Sequence, residues 1–197
     1  MGKTRLEAFS DGVLAVIITI MVLEMKVPHD ASIDALRQIW PVFLSYLLSF
    51  IYIGIYWNNH HHMLHATHKI RGGVLWANLH LLFWLSLVPF CTGWMGENHF
   101  AALPTALYGF VLLMAAIAYY VLQMCIIAAN GGRGSALAVA VGSDWKGKLS
   151  PVLYLMAIPS AFIAPWISCA LYAAVALIWF VPDRRIEGRV HEPPAAA

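Results

Sequence analysis

Charge is scarce in this sequence. Asp, Glu, Lys and Arg make up only 11% of its 197 residues, too few to coat a water-soluble globule of that size. Hydrophobic residues fill 61% of the chain and mean hydropathy is +0.72, so it reads as an integral membrane protein without a separate soluble domain. Cysteine is sparse too: Cys91, Cys125 and Cys169 stand apart in apolar surroundings. That odd, unpatterned set excludes a disulfide framework and a cysteine-based metal clamp. HExxH and GxSxG strings are absent, which argues against a zinc-dependent or serine-type membrane hydrolase. An arginine ladder of the voltage-sensing kind is missing, as are a fixed-period repeat and the paired broken helices of transporters. A cleavable signal is not expected, because Glu7 and Asp11 interrupt the leader and the exit Glu24–Pro28 has no small-residue cleavage site. The net charge of +2 gives no basic excess for nucleic acid.

Long apolar runs are what the chain has in quantity. They predict an all-α membrane protein with helices over about 6–25, 36–57, 73–94, 104–129, 149–164 and 166–181. The last two come from one stretch too long for a single span and short for two, which Pro165 divides by breaking the backbone ladder. Residues 1–182 form one six-helix transmembrane unit on this reading, and 183–197, ending EPPAAA, a disordered cytoplasmic tail. Six spans put Lys3, Arg5, Lys69, Arg71, Arg133, Lys146, Lys148, Arg184, Arg185 and Arg189 on one side, against Lys26 and Arg37 on the other. Ten against two places both termini in the cytoplasm by the positive-inside rule. The outer side carries Glu24, Asp30, Asp34 and Glu97, an acidic surface that would concentrate cations near a pore mouth. The connection from Asn130 to Lys148 reads as flexible and without a clear fold.

The first span combines polar and apolar features. Val16, Thr19, Ile20 and Leu23 follow the i, i+3, i+4, i+7 spacing of one helix face, and Arg5, Phe9 and Gly12 extend that face inward. Asp11 projects to the side, near Ala15 and Ile18, and is therefore not expected to coordinate an ion on that stripe. An intramembrane carboxylate is costly and calls for partners inside the bundle. Arg5, Trp57, His60, Asn78 and His80 all fall at a similar depth and are candidates for one hydrogen-bonded knot that anchors the first helix.

With RLEAFSD before an apolar helix bearing Thr19, 56-YWNNHH-61, the asparagine of 76-WANLHLLF-83 and Pro89-Phe90, the chain resembles the bacterial transmembrane protein 175 family, prokaryotic relatives of the lysosomal potassium channel. The motifs cover the first half; beyond Leu103 the likeness rests on span count and length. The resemblance implies a homotetramer of six-helix subunits in a prokaryotic plasma membrane, with four copies of the first helix around a central potassium pathway. It also implies that Val16, Thr19 or Ile20, and Leu23 line that pathway, and that Arg5, Phe9, Ser10 and Asp11, with Trp57, His60 and Asn78, act in inter-helix contacts. The TVGYG filter of other potassium channels does not occur, and valine stands where the family favours isoleucine or leucine at the inner ring.

The mechanism so implied is a hydrophobic constriction with one hydroxyl ring. Valine and leucine rings narrow the axis and disfavour water, while threonine hydroxyls replace part of an ion's hydration shell. Potassium sheds water more readily than sodium, so modest potassium selectivity follows. No cofactor is expected, and the partners are potassium ions, membrane lipid and further copies of the chain. The alternative is a proton- or metal-coupled transporter built on His60, His61, His62, His65 and His68, of which His61, His65 and His68 have helical spacing suited to zinc or copper.

Overall fold

A computed structural model of the chain describes residues 2–142 and 144–180. The expected tail over 183–197 lies outside the described residues, as do Arg184, Arg185 and Arg189. Among the described residues all regular structure is helical.

Helix α1 (Lys3–Leu23) buries Leu6, Ser10, Leu14, Ile17 and Met21, a single face at three- and four-residue spacing. A short helix, α2 (Ile33–Gln38), is capped by Ser32, whose hydroxyl accepts from the Ala35 amide at 3.2 Å. Helix α3 (Trp40–His65) carries Pro41 in its first turn, where no amide is needed. It runs eight residues past Trp57, where the polar run from Asn58 onward suggested an end. The helix continues because those polar groups find partners: the Asn59 amide donates to the Ile55 carbonyl at 2.8 Å, and His60 is bound from a neighbouring helix.

The next apolar segment is broken into α4 (Gly72–Ser86) and α5 (Val88–Glu97). Pro89 explains the break, because it has no amide to donate and its ring crowds the preceding turn. Helix α6 (Ala102–Ala129) is the spine of the bundle, packed against α4, α5 and two later helices, with Tyr108, Leu112, Ala115, Ala118, Leu122 and Ile126 fully buried. The stretch expected to lack structure contains a 3₁₀ turn (Gly132–Gly134) and α7 (Ala136–Val141). Ser135 caps α7 by accepting from the Ala138 amide, and Leu137 and Ala140 bury its apolar side. Helices α8 (Trp145–Ser160) and α9 (Pro165–Phe180) complete the described chain. Helices α1, α3, the α4–α5 pair and α6 are each long and apolar enough to cross a membrane.

Hydroxyls tie the bundle together at its centre. Tyr52 of α3 donates to the Tyr172 carbonyl of α9 at 2.7 Å, and the Tyr172 hydroxyl donates to the Thr105 carbonyl of α6 at 3.0 Å. Ser49 bridges Thr92 at 2.6 Å and Tyr108 at 3.0 Å, joining α3, α5 and α6. Such bonds suit a membrane bundle, where apolar burial between helices gives little driving force and polar ties and close packing hold spans together. Gly96 lets a helix backbone come close: a Cβ there would lie 2.5 Å from Ser45 Oγ and 2.7 Å from Val42 Cα. Gly96→Ala therefore forces α3 and α5 apart and is expected to cost about 1–3 kcal/mol, read as a lower thermal midpoint of the purified protein.

At the far end from α2, Asn130 acts as a clamp. Its side-chain oxygen accepts from the His68 and Lys69 amides at 3.0 and 2.8 Å, and its amide donates to the Ile126 carbonyl at 2.9 Å. The loop after α3 is thereby held to the end of α6.

Candidate ion pathway on the first helix

Two faces of α1 have different fates. The buried face packs on α3, α4 and α5. On the other, Phe9, Gly12, Val16, Thr19, Ile20 and Leu23 are exposed, Ile20 at 41% and Leu23 at 78%. Beside this stripe lies an open groove of about 980 Å³ between α1 and α5, whose lining includes Phe9, Val16, Ile20, Phe90 and Trp94. Thr19 and Leu23 do not line it. The stripe thus divides: Phe9, Gly12, Val16 and Ile20 border the groove on the α5 side, while Thr19 and Leu23 face outward.

The Thr19 hydroxyl donates to the Val16 carbonyl at 2.9 Å. Threonine commonly bonds the preceding turn in this way. The consequence for ligation is specific: with its proton directed inward, the exposed oxygen presents lone pairs to whatever lies outside the helix.

The polar knot expected around Asp11 forms as two separate contacts. Asp11 itself is exposed on this chain and accepts from Trp57 Nε1 at 3.1 Å. The buried knot is one residue away. His60 Nε2 meets Asn78 Oδ1 at 2.7 Å, Asn78 Nδ2 donates to Ser10 Oγ at 2.9 Å, and Ser10 donates to the Leu6 carbonyl at 2.9 Å. Ser10 has given its proton to Leu6, so it only accepts from Asn78. That fixes the Asn78 amide with its oxygen toward His60, and His60 then carries its proton on Nε2. Helices α1, α3 and α4 are joined through this chain. His80 takes no part: it accepts from Trp84 Nε1 on its own helix at 2.9 Å. Arg5 is exposed and makes no hydrogen bond or ion pair with the described residues; its neighbour Lys3 caps the end of α3 by donating to the His65 carbonyl at 3.0 Å. From sequence, all of these had the right depth; the helix rotation that selects Ser10 over Asp11 was not visible.

At the other end of α1, Lys26 bonds Glu97 at 2.8 Å and Arg37 bonds Asp34 at 3.0 Å. Two of the four acids expected to draw cations are therefore already paired. The Glu97 hydrogen bond, and then its charge, raises the pKa of Lys26 above the ordinary lysine value. The contribution of this clasp is complete below that ordinary value and is lost as pH rises through the raised one. Among the histidines, His61 stacks on Trp57 and His65, with ring centroids 6.4 and 6.1 Å apart. The described residues contain no group of three His, Cys, Asp or Glu side chains placed to hold a metal ion.

These features make the chain a multi-pass helical membrane protein whose first helix leaves one polar-centred stripe open. Residues 5–89 match the family described as the endosomal/lysosomal potassium channel TMEM175. A protein from a Chryseobacterium species (strain P1-3), named as a potassium channel, is 54% identical over 98% of this chain and 100% of its own length. Another so named, from Chamaesiphon minutus, is 30% identical over 88% of this chain and 91% of its own. The crystal structure of a lysosomal potassium-selective channel TMEM175 homolog from Chamaesiphon minutus superposes with a TM-score of 0.79 at 28% identity, covering 92% of this chain and 97% of that one. The chain belongs to the TMEM175 family, a family of ion channels rather than enzymes.

Proposed function

We propose that this protein is a potassium-selective cation channel in which four copies bring α1 together around a central path. Six spans per subunit, with α8 and α9 as the short fifth and sixth, place both termini in the cytoplasm of a prokaryotic cell and give the ten-to-two bias of Lys and Arg described above. The reading rests above all on the uncovered stripe of α1. A lone subunit would offer Val16, Thr19 and Leu23 to lipid, and lipid gives no use to a hydroxyl whose lone pairs point outward. A four-fold axis does: four Thr19 oxygens replace part of the hydration shell of a passing ion, between apolar rings of Val16 and Leu23. Val16 and Ile20 both border the groove toward α5, so Thr19 is taken as the axial residue over Ile20 for the oxygen it offers an ion. Four hydroxyls are fewer and weaker ligands than stacked carbonyl rings, so selectivity is modest.

Potassium flux into vesicles carrying the purified protein, compared with sodium and caesium, tests the activity. Thr19→Val keeps the shape of the side chain and removes the oxygen. It is expected to lower the potassium-to-sodium permeability ratio about fivefold, equivalent to ~1 kcal/mol of differential ion stabilisation. A reversal potential unchanged from the native channel removes Thr19 from the selectivity step.

A further inference from the structure

A second polar site lies inside each subunit, away from α1. Helices α3, α6, α8 and α9 line a partly open cavity of about 40 Å³, room for about three water molecules at ~10–15 Å³ each. Its walls are largely aromatic: Tyr56 from α3, Tyr119 from α6, Tyr154 from α8 and Trp179 from α9 all line it. Neighbouring rings meet steeply, Tyr56 and Tyr119 at 65° and Tyr119 and Trp179 at 74°. The rings therefore line the cavity at steep angles to one another rather than as a stack.

One carboxylate lines the same cavity. Asp144 precedes α8 in a left-handed conformation, φ 40°. Its Oδ1 accepts from the Gly147 amide at 3.1 Å, which caps α8, and its Oδ2 lies 3.5 Å from Nε2 of the buried Gln123. Gly147 leaves room for this arrangement: a Cβ there would collide with the Asp144 carboxylate. Gln123 and Asn59, which also line the cavity, each sit six residues before the end of their helices, α6 and α3. The site therefore lies at the end of the bundle that bears the start of α1, and no α1 residue lines it.

We infer that this cavity binds a small organic ammonium cation, between methylammonium and trimethylammonium in size. The carboxylate supplies the counter-charge, and aromatic faces attract a cation while tolerating its methyl groups, as in cages that hold methylated ammonium ions. A divalent metal ion calls for more anionic ligands than this cavity has: Asp144 is the one carboxylate in its lining, and the described residues hold no group of three His, Cys, Asp or Glu side chains placed for a metal. The site is independent of the axial path and stands whether or not the channel reading holds.

Titration calorimetry of the full-length protein with methylammonium and trimethylammonium chlorides tests this. Saturable binding is expected, and Asp144→Asn weakens it at least tenfold while preserving the α8 cap, since asparagine caps a helix as well as aspartate. Tyr119→Leu weakens it similarly, whereas Tyr119→Phe, which keeps the ring, binds within about twofold of native. Absence of saturable heat in the native protein, native-like binding by Asp144→Asn or by Tyr119→Leu, or displacement of the ammonium by equimolar potassium chloride overturns the assignment.

Discussion

Asn78→Leu is expected to destabilise the folded subunit by about 2–4 kcal/mol, far more than a change on the lipid-facing surface. Leucine has the branched outline of asparagine at a greater volume, so lost hydrogen bonding dominates and some overpacking adds to it. Asn78 is fully buried and binds both its neighbours through opposite ends of one amide. Removing it leaves the His60 N–H without an acceptor in a buried site and leaves Ser10 Oγ without its donor. A buried unsatisfied group costs about 1–3 kcal/mol; the His60 N–H bears that cost in full, and Ser10, which keeps its bond to the Leu6 carbonyl, adds a smaller share. The thermal midpoint of the purified protein reports the loss. A double-mutant cycle isolates its cause: Ser10→Ala should cost much less in the Asn78→Leu background than in the native one. Additive costs would show that Ser10 and Asn78 do not act as one unit.

The same three residues show what could be read from the chain and what could not. In a bilayer each span must be a long apolar helix satisfying its own backbone, so apolar runs alone reveal the long helices and the face spacing on α1. Depth is readable as well, because antiparallel spans can be aligned from their ends. That is how Asp11, Trp57, His60 and Asn78 fell to one level. Rotation about the helix axis is not readable from depth. Ser10 and Asp11 are adjacent, yet one turns into the bundle and the other to its edge. The tyrosine and serine ties are hidden for another reason. Ser49 to Thr92 spans 43 positions and Tyr52 to Tyr172 spans 120, and nothing local marks either end as a partner. The groove beside Ile20 likewise needs α5 in place before it exists. Where local chemistry does carry the answer, as with Ser135 capping α7 or Pro89 splitting α4 from α5, the signal was in the sequence; Ser135 lay in a glycine-rich stretch that reads as loop.

Leu23→Ala is expected to raise single-channel potassium conductance about tenfold, the effect of lowering a barrier by ~1.4 kcal/mol. Leu23 is the last residue of α1 and has almost no packing within its own subunit. Truncating it therefore costs the isolated fold little. In the proposed ring of four, the same truncation removes twelve carbon atoms, three per leucine, from one apolar level and lets water remain where it would otherwise be expelled. Met21, two residues earlier, supplies the contrast. It lies on the buried face, so Met21→Ala should cost about 2–5 kcal/mol of stability while leaving the conductance of surviving channels near native. Together the two substitutions separate the faces of one helix. If Leu23→Ala destabilises the subunit as Met21→Ala does and leaves conductance unchanged, then α1 packs against another helix on that side and a different element lines the ion path.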